Sequence, residues 1–208
     1  MKKFPFVFLI FLISLIFIFS RCNQNDGQST NASTKDSSKT SVADNGGFAS
    51  QVKWGEHIVT ITGCNDCHTP KKMGPHGPED NMDIALSGQP AQMPEINADR
   101  KDIESKGVAM TNMTEWIGPW GISYSANITS DPNSGIGNWT ADQFIYCMRN
   151  GKYNGSPKGR DLLPPMPWQS FAKMTDDELK AVYAYLESTK PIHNIVPQPQ
   201  PPVLAMKK

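Results

Sequence analysis

Metal-binding side chains are scarce in this sequence. Its 208 residues include four cysteines and four histidines, and Cys64, Cys67 and His68 form the one tight group. A structural zinc site takes four tetrahedral ligands, usually as two close pairs. His57, His76 and His193 stand alone in sequence, and three ligands crowded into five positions cannot all approach one tetrahedral ion comfortably. Zinc is therefore disfavoured. An excess of one charge is missing too, with 20 basic against 20 acidic groups. No basic stripe is present to neutralise phosphates, so nucleic acid is not an expected partner.

Long apolar runs are absent except at the N-terminus. Lys2 and Lys3 precede a run from Phe4 to Phe19 broken only by Pro5 and Ser14. A basic start and an apolar stretch somewhat shorter than the ~20 residues of a comfortable span make residues 1–21 a signal peptide or membrane anchor, and the chain an exported one. Removing Lys2, Lys3 and Arg21 leaves 17 basic against 20 acidic groups. Cys22 follows directly, where a lipoprotein carries its acylated cysteine, although Phe19-Ser20-Arg21 lacks the small residue expected before it. Residues 22–47 are nearly all Asn, Gln, Ser, Thr, Gly, Asp and Lys, too polar to offset chain entropy by burial. They read as a disordered tether spanning about 25–30 Å. A tether fits a lipid-anchored Cys22 with a folded domain held away from the membrane, in the periplasm or at the cell surface.

The folded domain is expected over residues 48–194. "SQVKWGEHIVTITGC" has Val52, Gly55, Ile58 or Val59 and Thr62 at helical spacing. Gly55 costs a helix roughly 1 kcal/mol against Ala, which suggests a close helix crossing. Residues 69–138 lack any sustained period, and "TPKKMGPHGPED" and "SGQPAQMPE" are turn-forming. So long an irregular stretch needs something to wrap around, and a bound cofactor would serve. Trp116, Ile117, Trp120, Ile122, Tyr124 and Ile128 are too apolar to remain in water. Two helices are well marked. Thr140 and Gln143 form a capping box before Phe144, Cys147 and Met148, and Gly151 is a stop signal. Thr175 and Glu178 repeat the box before Leu179, Val182, Tyr183 and Leu186, with Pro191 beyond. Residues 195–208 form a proline-rich, extended tail.

"GCNDCHTPKK" carries the chemistry. A redox disulfide between Cys64 and Cys67 is one reading, but C-x-x-C of that kind opens a helix after a buried strand. Here it follows an amphipathic helix. Covalent haem attachment is the better reading. Cysteines three apart lie about one helical turn from each other and reach both vinyl groups of one porphyrin, with His68 under the iron as proximal ligand. A second axial ligand is then expected. Met166 in "GRDLLPPMPWQSF" is the candidate, because flanking prolines hold its backbone extended and present the thioether in a fixed direction. Met148 and Met174 read as core. Met73, Met82, Met93, Met110, Met113 and His76 are weaker rivals.

From about Gln51 to Pro197 the chain resembles the class I, mono-haem cytochrome c domains of membrane-bound cytochrome c proteins, including the cytochrome subunits of alcohol and gluconate dehydrogenases. The shared pieces are "GCNDCHTP", "ANITSDPNSGIGNWT", "F" and "MRNGK" on the following helix, "LLPPMPW", and "MTDDELKAVYAYL". The resemblance implies an all-α cytochrome c fold with long irregular loops around one covalent haem c. It also implies thioethers at Cys64 and Cys67 and axial His68 and Met166. The expected function is electron transfer to and from redox protein partners. Those subunits carry three C-x-x-C-H motifs and this chain one, so it looks like a single such domain on a tether. The family fold puts Gly55 where the first helix crosses the last, with Tyr183 or Leu186 against it.

Trp139, Asn127 and Arg160 resemble positions that meet haem propionates, since two carboxylates near a surface want donors. Trp139 as core and Arg160 as a solvated side chain are the plainer alternatives. Lys71 and Lys72 could border the haem edge and steer an acidic partner. Cys147 is expected to be a buried free thiol. A haem enzyme or a gas-binding module is the competing class. Either needs an open or displaceable sixth iron site, and Met166 discriminates them from a carrier.

Overall fold

A computed structural model describes residues 45–94 and 97–203. The leader, Cys22, most of the expected tether and the last five residues lie outside the described residues. Among the described residues, no helix is long and apolar enough to cross a membrane.

Among the described residues there are six α-helices: α1 (Gln51–Ile61), α2 (Cys64–His68), α3 (Arg100–Lys106), α4 (Ala141–Asn150), α5 (Trp168–Phe171) and α6 (Asp176–Glu187). The frame is the crossing of α1 and α6. A Cβ placed on Gly55 would lie 1.9 Å from the Ala181 carbonyl oxygen and 2.8 Å from Tyr185 Cβ, so only glycine lets the two backbones approach this closely. The crossing expected at Gly55 is present, with one correction. The atoms nearest the glycine belong to Ala181 and Tyr185, four residues apart on one ridge, rather than to Tyr183 or Leu186. Leu186 is instead buried in the core, and Tyr183 stacks obliquely on Phe144.

Both capping boxes form. The Thr140 hydroxyl accepts from Gln143 N–H and the Thr175 hydroxyl from Glu178 N–H, each with the reciprocal bond. Gly151 ends α4 in the left-handed conformation. The core beneath these helices contains Ile58, Val59, Leu86, Ile136, Phe144, Met148, Leu179, Val182 and Leu186. Cys147 is buried and unpaired, and burial pushes its thiol up to about 11.

The fold is not purely helical, which corrects the all-α expectation for the middle of the chain. A hairpin joins β1 (Lys71–Gly74) to β2 (Gly77–Asp80), and β3 (Ala109–Thr111), β4 (Glu115–Gly118) and β5 (Gly121–Tyr124) form an antiparallel sheet. Strands of three or four residues are too short to leave a period-2 signature in sequence. The apolar group read in this region buries here: Trp116, Ile117 and Ile122 are all nearly inaccessible, and Ile117 pairs with Ile122 across β4 and β5. The tail runs extended to the outer side of β5, where Gln200 and Ile122 exchange both backbone hydrogen bonds at 2.9 and 3.0 Å. Arg100 clamps the same segment through the Gln200 side chain and the Pro201 carbonyl, both at 2.8 Å.

Candidate haem site

The site begins where α1 stops. Thr62 caps α1, Gly63 turns the chain with φ +68°, and α2 starts at once, so Cys64, Cys67 and His68 share one short helical piece. Both thiols are free and half-buried. Burial is the first cause that raises the Cys64 and Cys67 thiols above the ordinary thiol range. A reactive dithiol has the opposite shift. No strand precedes the motif among the described residues, which also separates it from the redox-disulfide context. Among the described residues, no group of three or more His, Cys, Asp or Glu side chains could hold a bare metal ion.

His68 is held by a residue far away in sequence. Its Nδ1 lies 2.8 Å from the Ala126 carbonyl, and because a carbonyl only accepts, Nδ1 carries the proton. Nε2 is then the lone-pair nitrogen. Burial lowers the His68 pKa, with the Ala126 carbonyl acting in the opposite sense, so the ring is neutral at neutral pH. A neutral imidazole with one nitrogen anchored and the other free is the arrangement a metal-ligating histidine adopts.

Backbone contacts lock this geometry. Gly88 N–H donates to the His68 carbonyl at 2.8 Å, Gln89 N–H to the Ser125 carbonyl at 3.0 Å, and Ile128 N–H to the Leu86 carbonyl at 2.9 Å. Residues 86–89 are thus laced between the α2 end and residues 125–128. Gly88 has φ +75°, and a Cβ on it would lie 2.4 Å from the Ser125 carbonyl oxygen. The Ser125 hydroxyl donates to the Cys67 carbonyl. Nothing in the local sequence singles out Ser125, Ala126 or Gly88. The one signal is that Ala126 opens the shared stretch "ANITSDPNSGIGNWT".

Met166 sits on the loop from Leu162 to Pro167, half-buried against the core. Its N–H closes a turn onto the Leu163 carbonyl at 3.3 Å. Met73, Met82 and Met110 are 78%, 62% and 56% exposed, and His76 is also exposed, so these rivals face solvent. Met93 and Met113 are half-buried.

Two weaker expectations change. Asn127 is buried with its amide engaged at both ends: Nδ2 donates to the Ile192 carbonyl at 2.8 Å and to Ser134 Oγ at 3.0 Å, while Oδ1 accepts from Thr129 N–H and hydroxyl at 3.0 and 2.7 Å. It ties the 127–134 loop to the C-terminal segment and has no free donor for a propionate. Lys71 is buried against the body of the protein, its ammonium on Asp80 and the Asn65 carbonyl, and Lys72 faces Glu79. Lys71 is thus committed to Asp80, whereas Lys72 stays exposed, 3.8 Å from an equally exposed Glu79. Trp139 packs against the core, and its carbonyl accepts from the Tyr183 hydroxyl at 2.6 Å. Arg160 lies 4.2 Å over the Tyr153 ring, and both line a cleft with Tyr124, Ala126 and residues 195–199. Ala126, whose carbonyl holds His68, thus also borders the cleft that Arg160 faces. Cys64, Cys67, His68 and Met166 do not line it.

These donors suit a covalently attached porphyrin: two free, half-buried thiols one turn apart, and a neutral imidazole with one committed nitrogen. Comparison with known proteins bears on the same point. The cytochrome c subunit of quinone-dependent alcohol dehydrogenase from Gluconobacter oxydans is 32% identical over 142 residues, covering 68% of this chain and 22% of that protein. The chain resembles the cytochrome c domains of dehydrogenase subunits. The gluconate 2-dehydrogenase cytochrome c subunit of Pantoea cypripedii is 29% identical over 159 residues, 76% of this chain and 26% of that subunit. The fructose dehydrogenase cytochrome subunit of Gluconobacter japonicus is 38% identical over 85 residues, 40% of this chain and 17% of that subunit. This cytochrome c-like chain therefore spans about a quarter or less of the length of these curated relatives. No family model matches it.

Proposed function

We propose that this chain is an exported, membrane-tethered c-type cytochrome that carries one haem and passes one electron at a time between redox proteins. Cys64 and Cys67 would hold the porphyrin by thioether bonds, His68 Nε2 would bind one face of the iron and Met166 the other. The observation that carries the reading is the bond from His68 Nδ1 to the Ala126 carbonyl, which sets the tautomer and aims the free nitrogen. Bound there, the haem supplies a one-electron couple. A thioether opposite a histidine raises its potential and closes the sixth position to oxygen chemistry.

The chain's own residues do the rest. Ala126 holds the imidazole, Gly88 lets the supporting backbone approach, and the core around Ile58, Leu86, Phe144 and Leu186 keeps water away and limits solvent rearrangement. The single C-x-x-C-H motif supports one haem. The basic-apolar leader, Cys22 and the polar stretch after it support export and tethering, with lipid on Cys22. The likeness to cytochrome subunits of alcohol, gluconate and fructose dehydrogenases supports a redox enzyme as the electron donor.

A pyridine haemochrome assay on protein made with a haem-maturation system tests the attachment, and one thioether-bound haem per chain is expected. Loss of haem binding in Cys64→Ala/Cys67→Ala and loss of the methionine-to-iron charge-transfer band in Met166→Ala complete the test. A five-coordinate spectrum in the unaltered protein would favour the enzyme or gas-binding class instead.

A further inference from the structure

The segment that supports His68, β5 and the residues that follow it, also reaches the Met166 loop. Ser123 is 5% exposed, and its hydroxyl donates to the Pro164 carbonyl at 2.6 Å while accepting from Trp120 Nε1–H at 3.0 Å. Ser125, two residues on, donates to the Cys67 carbonyl. Residues i and i+2 of an extended chain share a face. One face of a single extended segment therefore grips the backbone of both loops, Ser125 at the C-x-x-C-H helix and Ser123 two residues before Met166.

We infer that Ser123, polarised by Trp120, is the positioning residue that holds the Met166 loop in register with His68 and so sets how firmly methionine occupies the iron. The inference rests on the ligand assignment proposed above. Its physical basis is directional. A hydroxyl can donate one proton. The Trp120 indole can only donate, so it occupies the Ser123 lone pair and leaves the serine proton for Pro164. Proline has no N–H, and neither Pro164 nor Pro165 can donate a ladder hydrogen bond to anchor the loop. The Pro164 carbonyl is thus a principal backbone handle next to Met166, and β5 takes it with a side chain. Held this way, the thioether is presented by a loop tied to the same continuous segment, residues 123–126, that orients the imidazole. The separation of the two axial groups is then a property of β5 and its continuation, and is not left to the flexibility of a proline-rich loop.

The test uses the full-length haem-loaded protein and three variants: Ser123→Ala, Ser123→Thr and Trp120→Phe. Four readouts are taken: the methionine-to-iron charge-transfer band, the midpoint potential, the affinity of the ferric form for added imidazole, and the thermal midpoint. In Ser123→Ala the band is expected to weaken and the affinity for imidazole to rise about tenfold, with a lower potential. Trp120→Phe should move the same readouts in the same direction by less, and Ser123→Thr, which keeps the hydroxyl, should restore them. A Ser123→Ala protein that loses thermal stability but keeps the band, the potential and the imidazole affinity overturns the positioning role. Met166→Ala is measured alongside. A band that survives in Met166→Ala overturns the ligand assignment itself, whereas a band lost there and unchanged in Ser123→Ala overturns only the role of Ser123.

Discussion

The imidazole of His68 donates through Nδ1 to the carbonyl of Ala126, 58 positions along the chain, at 2.8 Å. That bond, with the one from the Ser125 hydroxyl to the Cys67 carbonyl, joins a helical motif to a loop beyond a three-stranded sheet. Its acceptor is main chain, so no side-chain substitution at residue 126 removes it directly. What can be altered is the backbone lacing that brings residue 126 to the histidine.

Gly88 is the point of closest approach in that lacing. Its φ of +75° leaves little room for a side chain, and a Cβ there would come within 2.4 Å of the Ser125 oxygen. Gly88→Ala should cost roughly 1–2 kcal/mol from the left-handed conformation, before the displacement of residues 125–126 is added. A lower urea midpoint together with reduced haem incorporation is expected. Full haem loading at unchanged stability would contradict the lacing.

Gly55 makes the same kind of prediction in the frame. Alanine gains helix propensity of about 1 kcal/mol, yet its methyl would meet the Ala181 carbonyl oxygen at 1.9 Å. Backbone cannot step aside as a side chain can, so the crossing opens and overpacking wins. Gly55→Ala is expected to lower unfolding free energy by about 1–3 kcal/mol, read by equilibrium denaturation.

Asn127→Ala distinguishes a lock from a haem contact. The substitution leaves the Ile192 carbonyl and the Thr129 N–H without their buried partner, at roughly 1–3 kcal/mol for each group. Stability should fall while the midpoint potential stays close to that of the unaltered protein. A large potential shift at constant stability would return Asn127 to the propionates.

Asp131 predicts an acid limb. The Ser134 hydroxyl first, then the backbone N–H groups of Ser134 and Asn133 and the His193 imidazole, hold its carboxyl below the usual carboxylate range. A folded-state pKa lowered in this way contributes stability that is present above the unfolded value of about 3.9. That contribution is lost as pH falls through the lower folded value. Urea midpoints taken from pH 6 down to pH 3 should drop less steeply in Asp131→Asn, which is less stable at pH 6. Equal slopes would remove Asp131 from the acid response.

Much of the helical frame was legible because its signals are local. Thr140 with Gln143 and Thr175 with Glu178 are reciprocal boxes three residues wide, and the stripe from Leu179 to Leu186 repeats at helical period. Gly55 announced a crossing through its helix penalty. The identity of Ala181 and Tyr185 across from it was not legible, because the rotation of one helix about another is set by the whole core. Strands β1 to β5 escaped for a different reason: a three- or four-residue strand in a Gly- and Pro-rich stretch contains at most two alternations.

By itself the sequence determined what depends on spacing along the chain. That includes the C-x-x-C-H unit, whose spacing puts two thiols and an imidazole within about one turn once the segment is helical. It also includes the proline-flanked Met166, the two capped helices and the buried thiol of Cys147. Tertiary structure alone decided what depends on approach between distant segments: Ala126 as the acceptor for His68, Ser123 and Ser125 as hands on two loops, Asn127 as a lock, and Lys71 as a buried partner of Asp80 rather than a steering charge. Hydrogen bonds reach about 3 Å. Whether residues 58 positions apart come within that distance is decided by packing of the chain between them, which local pattern does not encode.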